Sequence, residues 1–102
     1  MISLLGFARK AGKLSLGSTA VEKSIKAKKA KLIIITEDAS NNTKDNFYKK
    51  ANSMHIPIIE KFNQKQLGNA LGKSNTTVVS IVDKGFAKAI LKKWEGGKYS
   101  VE

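Results

Sequence analysis

The run Lys31-Leu32-Ile33-Ile34-Ile35-Thr36 constrains the fold more than any other segment of this chain. It is far shorter than the roughly 20 residues a membrane helix needs. Its β-branched side chains favour extended backbone. No polar residue alternates with the isoleucines, so a strand here must be covered on both faces. Such strands lie inside sheets that carry helices on either side.

The flanking segments supply those helices. Residues 2–11 carry Leu4, Leu5, Ala8 and Ala11 at helical spacing, and Gly12 stops the run. Residues 12–17 form a connector with room for a short strand. Residues 18–29 predict a second helix with Val21 and Ile25 as its apolar stripe and Thr19-Ala20-Val21-Glu22 as a capping box. A third helix is expected over 41–54, with Thr43, Phe47, Ala51 and Met54 on one face, after turn chemistry at Glu37-Asp38-Ala39-Ser40. Ile56-Pro57-Ile58-Ile59 reads as a short strand whose proline suits its beginning or an edge. Asn63 can cap a helix over 64–71 that Gly72 ends, and Thr76 to Val82 is another β-branched strand. Asp83 or Lys84 opens a last helix, stopped by Gly96-Gly97 before a polar tail from about residue 96. The expectation is one α/β domain over residues 1–102, a three-layer α/β/α sandwich around a small mixed sheet.

Charge then narrows the function. Nineteen Lys and Arg face eight Asp and Glu, for a formal net charge of +11 and a pI near 10.0. Dense positive charge binds phosphate polymers by releasing their counterions and speeds the encounter with them. A plain solubility surface is the competing explanation. Arg9 is the single arginine. Lysine acts as a point charge, whereas arginine reads guanine edges as a rigid fork, so this balance favours backbone and shape recognition.

Catalytic readings fail on chemistry. No cysteine is present and His55 is the only histidine, so no metal site and no cofactor are expected. Gly68-Asn69-Ala70-Leu71-Gly72-Lys73-Ser74 invites a phosphate-loop reading, but three residues separate its glycines where the motif needs four. The segment also ends a helix and enters a strand, the reverse of that motif's setting. A helix C-cap glycine with a polar turn accounts for it, and a small, polar loop of this kind can also face RNA. Glu37-Asp38 suits a turn better than an acid–base pair. The apolar N-terminus lacks the preceding basic region of a signal peptide, which leads to an expectation of a cytoplasmic protein without membrane attachment.

The start of the second helix is the sharpest site. Helix N-termini present free N–H groups and partial positive charge. Gly17 permits close approach, Ser18 and Thr19 supply hydroxyls, and Lys23 follows one turn later. Two readings stand at this point: a seat for a phosphate or base edge, or a helix capped by its own Thr19 and Glu22.

The segment Gly17-Ser18-Thr19-Ala20-Val21-Glu22-Lys23, leading into Ala30 to Asp38, resembles the ribosomal protein L-seven-Ae/L-thirty-e superfamily. Leu4 to Lys13 and Thr36-Glu37-Asp38-Ala39-Ser40 are closest to its bacterial YlxQ-type branch, and the likeness continues through Gln66 to Gly72 and on to Val82. That resemblance implies the same sandwich fold and a non-catalytic protein that binds kink-turns, RNA elements bent sharply beside sheared G·A pairs. It implies an RNA surface made of Gly17, Ser18, Thr19, Ala20 and Lys23, then Glu37 and Asp38, then Lys73, Ser74, Asn75 and Thr76. Lys26, Lys29, Lys31 and Lys73 would add non-specific attraction. The best-known members carry Asn-Glu where this chain has Thr19-Ala20, and only Thr19 of that pair can hydrogen-bond a base edge. The expected function is therefore a monomeric, ribosomal-protein-like binder of structured RNA, with low-selectivity rRNA binding on the ribosome or during its assembly as the alternative.

Overall fold

The computed structural model describes residues 1–94. The expected Gly96-Gly97 stop and polar tail lie outside those residues. In chain order the elements are α1 (Ile2–Lys10), β1 (Leu14–Leu16), α2 (Ser18–Lys26), β2 (Leu32–Ile35), α3 (Asn41–Ser53), β3 (Ile58–Glu60), α4 (Gln64–Leu71), β4 (Val78–Ile81) and α5 (Lys84–Lys93). The strands form one mixed sheet in the order β1-β4-β2-β3. β4 runs antiparallel to both β1 and β2, while β2 and β3 are parallel.

Alternation along β2 divides the core. Ile33 and Ile35 pack with Val21 and Ile25 of α2 and with Phe47 and Ala51 of α3. Leu32 and Ile34 point the other way, to Leu5 of α1, Leu67 of α4 and Ile90 of α5. Two helices therefore cover one face and three the other, giving the expected sandwich. All four β2 side chains are fully buried, and each contributes about 1.5–3 kcal/mol by leaving water. The edge strand β3 follows Pro57, whose carbonyl still accepts from the Ile33 N–H at 2.9 Å.

Side chains cap the later helices. Ser40 caps α3, Asn63 and Gln66 form a reciprocal capping box on α4, and Asp83 caps α5. Gly72 ends α4 in the left-handed region, as its sequence suggests.

The expected capping box on α2 does not form. Its N-cap is Gly17, and no side chain bonds to it. Thr19 lies two residues past the N-cap, because α2 starts directly from the strand, where the Gly17 N–H donates to the Val78 carbonyl at 2.9 Å. Glu22 turns instead toward α3 and accepts from Asn46 at 3.3 Å. α2 is also shorter than the 18–29 expected. It ends at Lys26 because Lys28 enters the left-handed region (φ 61°) and the Lys29 and Ala30 N–H groups fold back onto the Ser24 carbonyl.

Two polar pairs tie the α2–α3 layer to the sheet. Ser24 Oγ donates to the Val21 carbonyl and sits 2.8 Å from Ser80 Oγ of β4, a satisfied buried pair. Tyr48 donates to Glu60 at 3.1 Å. Burial first, and then the Glu60 carboxylate, push the Tyr48 phenol up to about 12.

Candidate nucleic-acid interface

The register places four chain segments at one end of the sheet. Leu16 pairs with Val79, Ile35 with Val78, and Ile35 with Glu60. The ends of β1, β2 and β3 and the beginning of β4 therefore share one pole. The start of α2, the turn after β2, the start of α4 and the loop before β4 all meet there. Three of the four contain residues expected at the interface.

Gly17, Ser18, Thr19, Ala20 and Lys23 line a shallow cleft of about 350 Å³ together with Leu16 and Lys73. Ser18, Thr19 and Lys23 are exposed. No side chain caps the first turn of α2, so the ordinary surplus of N–H groups at a helix start faces this cleft. Lys73 reaches the same place from the far side of the sequence: a Cβ on Gly17 would lie 3.9 Å from Lys73 Nζ. Cation, uncapped amides and hydroxyls thus converge on one opening, which is the chemistry of an oxyanion seat.

Asp38, Ser74 and Asn75 line a neighbouring cleft of about 430 Å³, with Gln64, Lys65, Gly68 and Asn69 of α4. The consecutive residues Lys73 and Ser74 are the ridge between the two clefts. Asp38 does not stand free: both of its carboxylate oxygens accept from the Gln64 N–H, at 3.1 and 3.3 Å. Glu37 is fixed through its backbone, with its N–H on the Phe62 carbonyl and its own carbonyl on Lys44 Nζ. The acidic turn therefore joins β2 to the start of α4. Thr76 is buried rather than surface-facing, and its hydroxyl donates to the Lys73 carbonyl at 2.6 Å. It shapes the loop from beneath, while Asn75 carries the turn at φ 61°.

Gly68 is the support that the sequence did not reveal. It is buried on α4, and a Cβ there would stand 2.9 Å from the Lys73 carbonyl oxygen and 3.3 Å from Ser74 Cα. The loop rests directly on the helix backbone at this point. Arg9 supports the same region, donating from Nη1 to the Leu71 carbonyl at the end of α4. Lys65 and Asn69 also join the cleft; exposed polar residues on an amphipathic helix gave no sign of it.

Lys26, Lys29 and Lys31 do not come to this pole. β2 begins beside Ile81, the far end of β4, and the Lys31 N–H donates to the Ile81 carbonyl at 2.7 Å. Lys26 ends α2, about 12 Å along the axis from Ser18 at 1.5 Å per residue. All three lysines are exposed toward the opposite pole.

Comparison with known proteins follows the same outline. The profile of the ribosomal protein L7Ae/L30e/S12e/Gadd45 family matches residues 1–91. The chain is 38% identical over 88 residues to a protein of Bacillus subtilis (strain 168) named RNA-binding protein YlxQ, spanning 86% of this chain and 88% of that one. It is 36% identical over 95 residues to RNA-binding protein YlxQ of Enterococcus faecium, spanning 93% and 91% of the two chains. A solved structure from Bacillus halodurans C, titled a protein with unknown function, superposes with a TM-score of 0.85 at 33% identity, over 89% of this chain and 92% of that one.

Proposed function

The chain belongs to the ribosomal protein L7Ae/L30e/S12e/Gadd45 family, and from that premise we propose that it is a non-catalytic binder of folded RNA, with a kink-turn as its preferred target. The single observation that carries this reading is the uncapped start of α2 facing Lys73 across Gly17. α3, α4 and α5 place a side chain on their own first turn, whereas α1 and α2 do not; of these two, α2 shares its opening with a lysine from a distant segment. Ser18 and Thr19 hydroxyls lie within the same opening, and Lys23 stands one turn deeper. A bent RNA fits this arrangement better than a straight duplex. The two clefts divided by the Lys73–Ser74 ridge can hold a backbone on one side and a splayed base on the other. Single-stranded bulges expose such bases to polar side chains.

The domain acts as one monomeric unit in this reading, on ribosomal or regulatory RNA in the cytoplasm. Among the described residues no helix is long and apolar enough to cross a membrane. A less selective role on rRNA draws support from Ala20, which lines the cleft without any side-chain hydrogen-bonding group.

Lys23→Ala tests the assignment. On a kink-turn hairpin it should lose about tenfold in affinity, since a hydrogen bond to a charged group is worth about 1.5–3 kcal/mol. On a plain duplex the loss should be far smaller. Gel-shift or anisotropy titrations read both. Equal losses on the two RNAs would remove Lys23 from a specific site.

A further inference from the structure

We propose that the opposite pole of the sheet is a second phosphate-binding surface, so that the protein holds two RNA segments at once. Lys26, Lys28, Lys29 and Lys31 leave the end of α2, and Lys49 and Lys50 approach it along α3. Lys28, Lys31, His55, Met54 and Pro57 line a cleft of about 510 Å³ there, and among the described residues no acidic one lines it. A second groove of about 290 Å³ adjoins it through Ser53 and Met54 and carries Lys26, Lys49 and Lys50, with Glu22 as the one carboxylate among the described residues.

Lysines near helix C-termini often do no more than balance the helix dipole. Here that explanation is too small. Two C-termini carry about half a negative charge each, against six lysines in these segments. The backbone points the same way. Lys28 and His55 occupy matching positions after α2 and α3, both in the left-handed region, at φ 61° and 57°. Glycine is the usual residue there because it has no Cβ penalty. This chain instead bears the strain twice and sets a basic or imidazole side chain beside the cleft each time.

The chemistry favours a phosphate backbone over a membrane or an acidic peptide. Lys26, Lys28, Lys29, Lys31 and His55 are exposed, whereas the apolar lining residues Met54, Ile56 and Pro57 are only partly exposed or buried. Stable attachment to a membrane adds inserted apolar side chains to basic ones, and the exposed large apolar residues among those described, Ile2 and Phe7, belong to α1. Lysine ammonium groups act as point charges that suit phosphates, whereas bidentate recognition of a peptide's carboxylates favours arginine, which the cleft lacks. The two poles stand at opposite ends of a body 28–29 Å across, so each can take its own RNA segment.

The test uses the full chain and a plain RNA duplex, followed by fluorescence anisotropy at several salt concentrations. It is independent of kink-turn selectivity at the first pole. Lys28→Ala, Lys29→Ala and Lys31→Ala together should reduce duplex affinity by about tenfold or more at low salt and flatten the salt slope by about 0.9 per lysine. Lys88→Ala, Lys92→Ala and Lys93→Ala on α5 remove the same charge and should cost far less. The proposal is overturned if the α5 triple variant loses as much as the cleft triple variant. It is also overturned if anionic vesicles or a polyglutamate peptide bind the wild type as tightly as the duplex does and lose as much with the cleft variant.

Discussion

Gly68→Ala should weaken RNA binding about tenfold by displacing the loop that rests on it, and should lower stability by about 1–3 kcal/mol, the ordinary cost of overpacking. The new methyl group would meet backbone, not a flexible side chain: 2.9 Å to the Lys73 carbonyl oxygen and 3.3 Å to Ser74 Cα. Neither atom can rotate away. Either α4 and the loop separate, or the loop shifts by several tenths of an ångström. Each response moves Lys73 away from Gly17 and disturbs the Thr76–Lys73 hydrogen bond that sets the loop. In an ordinary exposed helix the same change would be stabilising, because alanine exceeds glycine in helix propensity by about 1 kcal/mol. The sign of the effect is therefore diagnostic. Thermal unfolding with hairpin titration reads both quantities, and a Gly68→Ala protein that is more stable and binds normally would show that the loop does not rest on α4.

Gly17→Ala should be as damaging, for a different reason. Space is not the difficulty, since the added Cβ would find only Lys73 Nζ, at 3.9 Å. The backbone is. Gly17 holds φ 90° and ψ 162°, a region essentially reserved for glycine, and other residues pay about 1–3 kcal/mol to occupy it. The variant can relieve that strain only by rotating the junction between β1 and α2. That rotation displaces the Gly17 N–H from the Val78 carbonyl and re-aims the first turn of α2. Denaturant unfolding should show the stability loss, and hairpin affinity should fall about tenfold, the equivalent of roughly 1.4 kcal/mol. An affinity unchanged in a destabilised protein would separate Gly17 from the RNA and leave it a purely structural glycine.

These two glycines show how far the sequence could be followed. Gly17 stood beside Ser18, Thr19 and Lys23, and helix-start chemistry within one short segment is visible without a structure. The isoleucines of β2 were legible for a similar reason: burial on both faces leaves no alternation to interpret. Asn63, and Asp83 as one of two candidates, announced their helices as caps that the structure contains, and Gln66 completes the box on α4. Thr19 with Glu22 showed the same pattern two positions too late. A capping box depends on where the helix begins, and here a long-range strand bond to Val78 decides that. Gly68 could not be understood locally at all, because its role comes from a loop folded back over it.

Sequence proximity does not decide which cleft a charge serves. Lys26, Lys29 and Lys31 lie near Lys23 along the chain, yet α2 and the turn after it carry them to the other pole. Lys73 is fifty residues away from Lys23 and shares its cleft. Strand pairing between β1, β4 and β2 produces that convergence, and no local pattern encodes it. The single arginine bonds the last carbonyl of α4, a role that also depends on distant packing.

The central claim is that the cleft at the start of α2 recognises a bent RNA rather than charge alone. The most direct measurement compares wild-type binding to a minimal kink-turn hairpin with binding to the same hairpin after its G·A pairs are replaced, at two salt concentrations. A preference of about tenfold or more that persists at the higher salt is the expected result, because shape-dependent contacts survive the loss of counterion release. Equal binding to both hairpins, collapsing together as salt rises, would contradict the claim and reduce the cleft to part of a general basic surface.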